Sequence, residues 1–167
     1  MNKEFLQSLR EQIKSGTVTE QEPMSRHTSF SIGGPADVFV QPATKEEIKN
    51  AIFCAKEAGV PFFVMGNGSN LLVSDEGFRG MIIQIGKNFQ EISVQDTVIE
   101  VQAGALLSRT ARAAWNAGLT GFEFAAGIPG TTGGAVAMNA GAYGGELSHV
   151  ITGVDALMPD GSIRHFK

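Results

Sequence analysis

The sequence predicts an α+β fold, because segments with helical spacing alternate with short apolar segments, and two hairpin signals are present. The first hairpin signal is Asp96-Thr97, which separates two strand-like segments. The second is Asp160-Gly161, a dipeptide typical of tight hairpin turns. The 167 residues suffice for one domain with a real core and hardly for two.

Three helices are predicted from apolar residues at helical spacing. The first covers residues 2–14. The second begins after Thr44, a good N-cap residue with Glu47 at the capping-box position, and it ends at Gly59. The third covers residues 105–116.

Short apolar segments bounded by turn residues predict the strands. Phe62–Met65 is expected to be a buried strand, because the segment is apolar, short and bounded by Pro61 and Gly66. Residues 16–24 are polar, and we expect a connector there. The other predicted strands are residues 36–41, 71–73, 81–85, 92–95, 98–102, 150–158 and 162–167.

Composition and charge exclude several classes of function. The net charge is −4 and no cluster of Lys or Arg occurs, so we expect no nucleic-acid partner. Residues 1–13 lack the apolar segment of a signal peptide, and no apolar run is long enough to span a membrane. By elimination we expect a cytoplasmic protein without a membrane partner, and nothing in the sequence implies a protein partner.

Isolated residues with reactive or bulky side chains are interpreted as structural. Cys54 is the only cysteine, so no intrachain disulfide can form, and no Cys or His is spaced to share a metal with it. We therefore expect no metal site. His27 is expected to be a surface or hydrogen-bonded histidine rather than a catalyst, and Trp115 is expected to pack against the sheet.

Glycine accounts for 21 of the 167 residues, and one glycine-rich segment directly follows the strand at residues 62–65. In this first glycine loop (residues 66–70), Gly66-Asn67-Gly68-Ser69-Asn70, two glycines free the backbone to point successive amides at an anion. A simple turn between strands is the equally weighted alternative. The dinucleotide fingerprint is excluded, because Leu71 stands where its third glycine would be, and the chain contains no Gly-Lys-Ser/Thr of a P-loop.

A second glycine loop (residues 127–134) has the sequence Gly-Ile-Pro-Gly-Thr-Thr-Gly-Gly. Thr131 or Thr132 can cap a short helix over residues 135–138, whose N-terminus would offer free amides to a phosphate. Gly133 and Gly134 would let a flat ligand lie against the backbone. The alternative is that these glycines are only spacers between two closely packed elements.

Two polar residues follow this loop, within Asn-Ala-Gly-Ala-Tyr-Gly at residues 139–144. Asn139 is a candidate for ligand binding. Tyr143, the only tyrosine of the chain, either projects into a cleft or lies on the surface, and the two alternatives carry equal weight.

Four motifs in this order resemble one family: residues 28–36, 66–72, 127–135 and 138–147. Together they resemble the UDP-N-acetylenolpyruvoylglucosamine reductase family over nearly the whole chain after Met24. The motif at residues 66–70 is shared across a wider FAD-binding superfamily. The segment ending in Asn-Ala-Gly-Ala-Tyr-Gly is much more specific.

The resemblance implies an FAD-binding domain of the vanillyl-alcohol oxidase type, with FAD between two small α/β subdomains. That domain would cover residues 25–167, after an N-terminal helix and connector at residues 1–24, and the substrate domain would be absent. The family also implies non-covalent FAD, NADPH as the hydride source, and a UDP-sugar substrate whose enolpyruvyl ether is reduced to the lactyl ether of UDP-N-acetylmuramate.

The resemblance further assigns individual residues to ligands. Tyr143 is assigned to the substrate. The residues assigned to the cofactor are Gly66, Asn67, Gly68, Ser69, Asn70, Leu71, Gly127, Ile128, Pro129, Gly130, Thr131, Thr132, Gly133, Gly134, Asn139, Ala140 and Gly141.

The family's catalytic serine, glutamate and arginine belong to motifs that would follow Lys167, so we expect no catalytic residue in this chain. The chain stops inside a hairpin, and we expect it to be a fragment that can bind FAD without completing turnover. Two alternatives stay open. One is another FAD-dependent oxidase or dehydrogenase of the superfamily, and the other is a non-catalytic nucleotide-binding module.

Overall fold

The computed structural model describes residues 2–167, which form four α-helices and ten β-strands. The predicted α+β class is confirmed. In the N-terminal region (residues 2–85) the chain forms one four-stranded sheet with two helices. Its elements are α1 (Lys3–Gln12), β1 (Thr17–Pro23), β2 (Pro35–Gln41), α2 (Lys45–Glu57), β3 (Phe62–Met65) and β4 (Phe78–Gln84).

The sheet of the N-terminal region has the strand order β1-β2-β4-β3. β1 pairs with β2 in antiparallel fashion, and β4 pairs in parallel with both β2 and β3. α1 and α2 cover one face, where Leu9, Ala51 and Ala55 pack against Val38 and Ile83. Full burial of a Val, Leu or Ile side chain contributes about 1.5–3 kcal/mol to folding.

The C-terminal region (residues 86–167) contains three short antiparallel strand pairs and two helices. Its elements are β5 (Ile92–Gln95), β6 (Val98–Val101), α3 (Leu107–Asn116), α4 (Thr132–Met138), β7 (Gly141–Ala142), β8 (Gly145–Glu146), β9 (Val154–Leu157) and β10 (Ile163–Phe166). The pairs are β5–β6, β7–β8 and β9–β10, so both predicted hairpins are confirmed. Leu107, Ala125, Ala135 and Leu147 form the core of this region.

Two predictions about strands are wrong. Residues 17–23 are not a connector but strand β1, which is polar because it lies at an edge of the sheet with much of its surface exposed. Residues 71–73 are not a strand but part of a loop. Val73 packs against Gly33, and the carbonyl of Ser74 accepts from the Gly34 amide at 2.8 Å, so this loop pairs with another loop instead of extending the sheet.

Two predictions about burial are also wrong. β3 lies at the other edge of the sheet, and Phe63 and Val64 are each 44% exposed. Trp115 does not pack against the sheet: it is 70% exposed, and the Arg112 guanidinium lies 5.0 Å from its ring centroid. Cys54 lies on α2 and is buried.

The predicted division of the chain at residue 24 stays a prediction. α1 and β1 belong to the same sheet and core as β2 and α2. None of the helices within residues 2–167 has the length and hydropathy needed to cross a membrane.

The N-terminus of α2 is fixed by Thr44, as predicted. The Glu47 amide donates to Oγ1 of Thr44 at 3.1 Å. In a full capping box the Glu47 carboxylate would accept from the Thr44 amide. It accepts from the Ala43 amide instead, at 2.7 Å, which is one residue earlier in the chain.

The same carboxylate of Glu47 also holds the turn between α1 and β1. One of its oxygens accepts from the backbone amides of Lys14, Ser15 and Gly16, at 2.9, 2.7 and 3.3 Å. Burial raises the pKa of Glu47, but these amides and that of Ala43 outweigh burial and lower the pKa below the usual 4.5. Glu47 therefore joins α1, β1 and α2 as an ionised group.

We expect Glu47→Gln to lower the free energy of unfolding at neutral pH by about 2 kcal/mol, because charge-assisted hydrogen bonds to four amides are weakened. A carboxyl whose folded-state pKa is lowered stabilises the fold above its unfolded-state pKa of 4.5, and this contribution is lost as the pH falls through the folded-state value. Urea unfolding between about pH 7 and pH 3 measures both effects.

Glu46→Gln is the matched control, since Glu46 is an exposed acidic residue in the same first turn of α2. Its stability at neutral pH and its loss of stability in acid should resemble those of the wild type. Equal stability of Glu47→Gln and the wild type at neutral pH would contradict this account of the α1–β1 turn.

Candidate anion-binding site between two glycine loops

The first glycine loop begins where the parallel strands β3 and β4 end. The Ile85 amide donates to the carbonyl oxygen of Met65 at 2.8 Å, and Nε2 of Gln84 donates to the carbonyl oxygen of Gly66 at 3.2 Å. Both bonds fix the start of the loop at the carboxyl end of the parallel strands. In open α/β sheets this end of the strands is where ligands bind.

Four successive backbone amides of this loop have no internal acceptor. Within residues 2–167, no oxygen accepts from the amides of Asn67, Gly68, Ser69 or Asn70. Gly68 has a φ of +67°, in the left-handed region that glycine tolerates and that turns successive amides toward one side of a loop. The side-chain amide of Asn70 adds a further donor. This set of donors suits a phosphate or diphosphate.

The two glycine loops are in direct contact. The Ser69 hydroxyl donates to the carbonyl oxygen of Pro129 at 3.2 Å. A Cβ on Gly66 would lie 2.1 Å from Oγ1 of Thr131, and a Cβ on Gly130 would lie 3.0 Å from Oγ of Ser69. The contact at Gly66 leaves no room for a Cβ, and Gly130, with a φ of +133°, has a backbone conformation that favours glycine.

The second glycine loop is held by the start of α3 and by Leu106, the residue before it. The Leu107 amide donates to the carbonyl oxygen of Gly130 at 3.1 Å, and Leu106 and Thr131 form an isolated antiparallel bridge. Thr131 is buried and is the N-cap of α4, without a side-chain cap hydrogen bond. The loop is thus held by the first glycine loop at Pro129 and by the start of α3 at Gly130, without a ligand.

The prediction that the N-terminus of α4 offers free amides is wrong for its first two residues. The amide of Thr132 donates to the carbonyl oxygen of Ala105 at 2.7 Å, and that of Gly133 donates to the carbonyl oxygen of Ala103 at 2.8 Å. A Cβ on Gly133 would lie 2.7 Å from the Cβ of Ala103, so this glycine is a spacer, as the alternative interpretation held.

The exposed residues of the second glycine loop are Gly127, Pro129 and Gly134. Nothing lies within 4 Å of the position that a Cβ on Gly127 would occupy. Ile128 is half-buried, and its side chain packs against the core of the C-terminal region. The surface that this loop offers to a flat ligand is therefore mainly backbone.

The polar residues after α4 form a short hairpin with Tyr143 at its tip. Tyr143 and Gly144 have φ values of +54° and +83°, as in a type I′ turn, and join β7 to β8. Tyr143 is 98% exposed. It borders an open cleft of about 530 Å³ that is also lined by Gly121, Glu123, Phe124, Gly144 and Gly145.

The side chain of Asn139 joins the two ends of this hairpin. Its backbone is left-handed, with a φ of +44°, and ends α4. Its Oδ1 accepts from the Ser148 amide at 2.9 Å. Ala140 packs against the core of the C-terminal region, and a Cβ on Gly141 would lie 2.6 Å from the carbonyl oxygen of Gly145. These three residues therefore shape the hairpin that presents Tyr143.

Sequence reasoning missed two parts of the site. The first is Gln84, which donates to the Gly66 carbonyl oxygen. A polar residue at the end of the apolar strand β4 could have indicated a contact with the site. The backbone of His27 and Ser29 lies beneath Gly68. Nothing in the local sequence indicates that contact, since it joins segments about forty residues apart.

Comparison with known proteins identifies the family. The family model of the FAD binding domain matches residues 36–167. The chain is 47% identical over 159 residues to a UDP-N-acetylenolpyruvoylglucosamine reductase of Alkaliphilus oremlandii, covering 95% of the chain and 52% of that relative. It is 52% identical over 143 residues to the corresponding protein of Alkaliphilus metalliredigens, covering 86% of the chain and 47% of that relative. The chain thus spans about half the length of these relatives.

Solved structures agree with this assignment. The crystal structure of UDP-N-acetylenolpyruvylglucosamine reductase from Thermus caldophilus has a TM-score of 0.75 and 36% identity, and the match covers 90% of this chain and 52% of that chain. Wild-type BBE-like 1 from Physcomitrella patens has a TM-score of 0.67 at 21% identity, covering 97% of this chain and 37% of that chain, which shows the fold alone. The chain therefore belongs to the FAD-binding domain family, and within it resembles the FAD-binding half of the UDP-N-acetylenolpyruvoylglucosamine reductases.

Proposed function

We propose that this chain is the FAD-binding part of a UDP-N-acetylenolpyruvoylglucosamine reductase. The observation that carries the proposal is the row of four amides at Asn67–Asn70 without internal acceptors, at the carboxyl end of β3 and β4. These donors match the chemistry of a diphosphate and need no cationic side chain. The relatives at 47% and 52% identity support the assignment of the family's activity.

The residues present offer hydrogen-bond donors for the diphosphate and mainly exposed backbone for the flavin. Residues 66–71 would hold the diphosphate through backbone amides and the side chain of Asn70, while the Ser69 hydroxyl donates to the Pro129 carbonyl. The exposed backbone of Gly127, Pro129 and Gly134 would border the flavin and its ribityl chain. Thr132 and Gly133 would contribute indirectly, since their amides already bind Ala105 and Ala103.

Bound FAD supplies hydride-transfer chemistry, while the protein binds and orients it. In the proposed reaction NADPH is the reductant, and the enolpyruvyl ether of UDP-N-acetylglucosamine becomes the lactyl ether of UDP-N-acetylmuramate, a step of peptidoglycan synthesis in the cytoplasm. Within this chain Tyr143 is the residue proposed to face the UDP-sugar. Its exposure beside an open cleft supports that role.

The reduction also requires a proton, delivered by a general acid. The family's proton-donating serine, its catalytic glutamate and its active-site arginine have no counterpart in the motifs matched here. We therefore propose that the chain by itself binds FAD and does not turn over the UDP-sugar.

We expect the purified chain to retain a flavin absorption band after it is mixed with FAD and excess FAD is removed. Diphosphate binding by the first glycine loop is the expected source of this affinity. The same sample should not oxidise NADPH when the UDP-enolpyruvyl sugar is added. A chain that stays colourless under these conditions would contradict FAD binding by this part of the protein.

We expect Gly68→Ala to weaken FAD binding strongly, because an added Cβ would lie 2.0 Å from the carbonyl oxygen of His27 and would displace the loop. Gly118→Ala is the matched control. Gly118 has a similar φ, +69° against +67°, but its Cβ would meet no atom within 4 Å. Both variants should lose about 1 kcal/mol of stability from backbone strain. Gly68→Ala should lose more, because of the contact with His27, and only this variant should lose flavin in the absorption assay. Equal flavin retention by both would argue against this loop as the binding site.

We expect Tyr143→Asn to raise the free energy of unfolding by about 0.5 kcal/mol, because asparagine suits the first central position of a type I′ turn better than tyrosine. A bulky residue with positive φ that does not stabilise the turn is typical of a functional site. Urea unfolding of the two proteins measures the difference. A clear loss of stability in Tyr143→Asn would indicate that the tyrosine serves the hairpin and not a ligand.

A further inference from the structure

The backbone of residues 27–29 forms the support beneath Gly68. A Cβ on Gly68 would lie 2.0 Å from the carbonyl oxygen of His27, so the two backbones are in close contact. The Ser29 amide donates to the carbonyl oxygen of Gly68 at 3.2 Å. The position of Gly68, and with it the direction of the neighbouring amides, therefore depends on where this support lies.

The imidazole of His27 is held on two sides. Its Nε2 lies 3.0 Å from Oε1 of Glu22 at the end of β1. Its ring stacks on Phe39 of β2, with ring centroids 4.1 Å apart and an interplanar angle of 28°. Both side chains of the His27–Glu22 pair are largely buried, at 18% and 15% exposure, so the pair is better shielded from solvent than a surface ion pair.

The rest of the supporting segment is closed by its own hydrogen bonds. The amides of Met24 and Ser25 donate to the carbonyl oxygens of Gly34 and Gly33, each at 3.1 Å. These bonds close the base of the loop formed by residues 26–32.

Two side chains at the near end of this loop reach Glu22 of β1: that of His27, and that of Arg26, whose Nη1 lies 3.5 Å from Oε1 of Glu22 but whose side chain is 69% exposed. His27 is therefore the shielded link between this loop and the sheet.

We propose that His27 is a positioning residue for the proposed diphosphate site. Its imidazole, held by Glu22 and Phe39, fixes the backbone on which Gly68 rests and so keeps the four amides of the first glycine loop directed at the ligand. The inference rests on the proposed function for the identity of the ligand. The support of Gly68 by residues 27–29 is independent of any ligand.

His27→Ala tests the proposal, with FAD, ADP and riboflavin as probes. The dissociation constants of FAD and ADP should rise about tenfold, equal to about 1.4 kcal/mol, because both carry a diphosphate. That of riboflavin, which has no phosphate, should not change. His165→Ala is the matched control, since His165 also pairs with a carboxylate, that of Asp155 at 2.8 Å, but on the exposed β9–β10 hairpin. It should leave all three constants unchanged.

Unchanged FAD and ADP affinity in folded His27→Ala would overturn the proposal, and so would an equal loss of riboflavin affinity. If His27→Ala does not fold, Glu22→Gln provides the second variant, because it keeps the stack on Phe39 and weakens the hydrogen bond to His27, together with the exposed pairing of Glu22 with Arg26. It should shift the FAD and ADP constants in the same direction by a smaller factor, and no shift would overturn the proposal.

A measurement on the ligand-free chain tests the role of His27 independently of FAD binding. If the wild-type chain binds none of the probes, the proposed function fails for this chain, and amide chemical shifts in ¹⁵N NMR spectra decide on His27. His27→Ala should move the resonances of residues 67–70 more than His165→Ala does. If these resonances stay in place, His27 does not position the loop.

Discussion

The close approach of backbone to backbone around the first glycine loop is the constraint on which the candidate site depends. Gly66 meets the side chain of Thr131, and Gly68 meets the carbonyl of His27, at distances that leave no room for a Cβ. These contacts place the loop between the N-terminal sheet and the second glycine loop. Glycine costs more conformational entropy on folding than other residues, and here that cost is offset by a close approach that only glycine permits. The result is a row of four amides whose hydrogen-bonding capacity is left for a ligand.

Local signals in the sequence predicted much of the fold. Thr44 and Gly59 marked the ends of α2, and the Asp160-Gly161 turn marked the β9–β10 hairpin, because caps and tight turns depend on residues close together in the chain. The first glycine loop was likewise found from its own five residues. Its open amides agree with the predicted anion site, although the identity of the bound group came from the family resemblance and not from the loop.

Features that depend on distant partners could not be predicted in this way. β1 is a strand because it pairs with β2, and its polar sequence reflects an edge position that no local pattern reveals. The amides of Thr132 and Gly133 looked free, since the first amides of a helix have no partner within it, but the carbonyls of Ala105 and Ala103 take them up. The role of Asn139 within its hairpin was hidden for the same reason.

The central claim is that the amides of Asn67–Asn70 bind the diphosphate of FAD, and a crystal structure of the chain grown with FAD tests it most directly. The account predicts diphosphate oxygens about 2.7–3.2 Å from these backbone nitrogens, with the flavin beside the second glycine loop. FAD bound elsewhere, or bound with its diphosphate in solvent while these amides face water, would contradict the account.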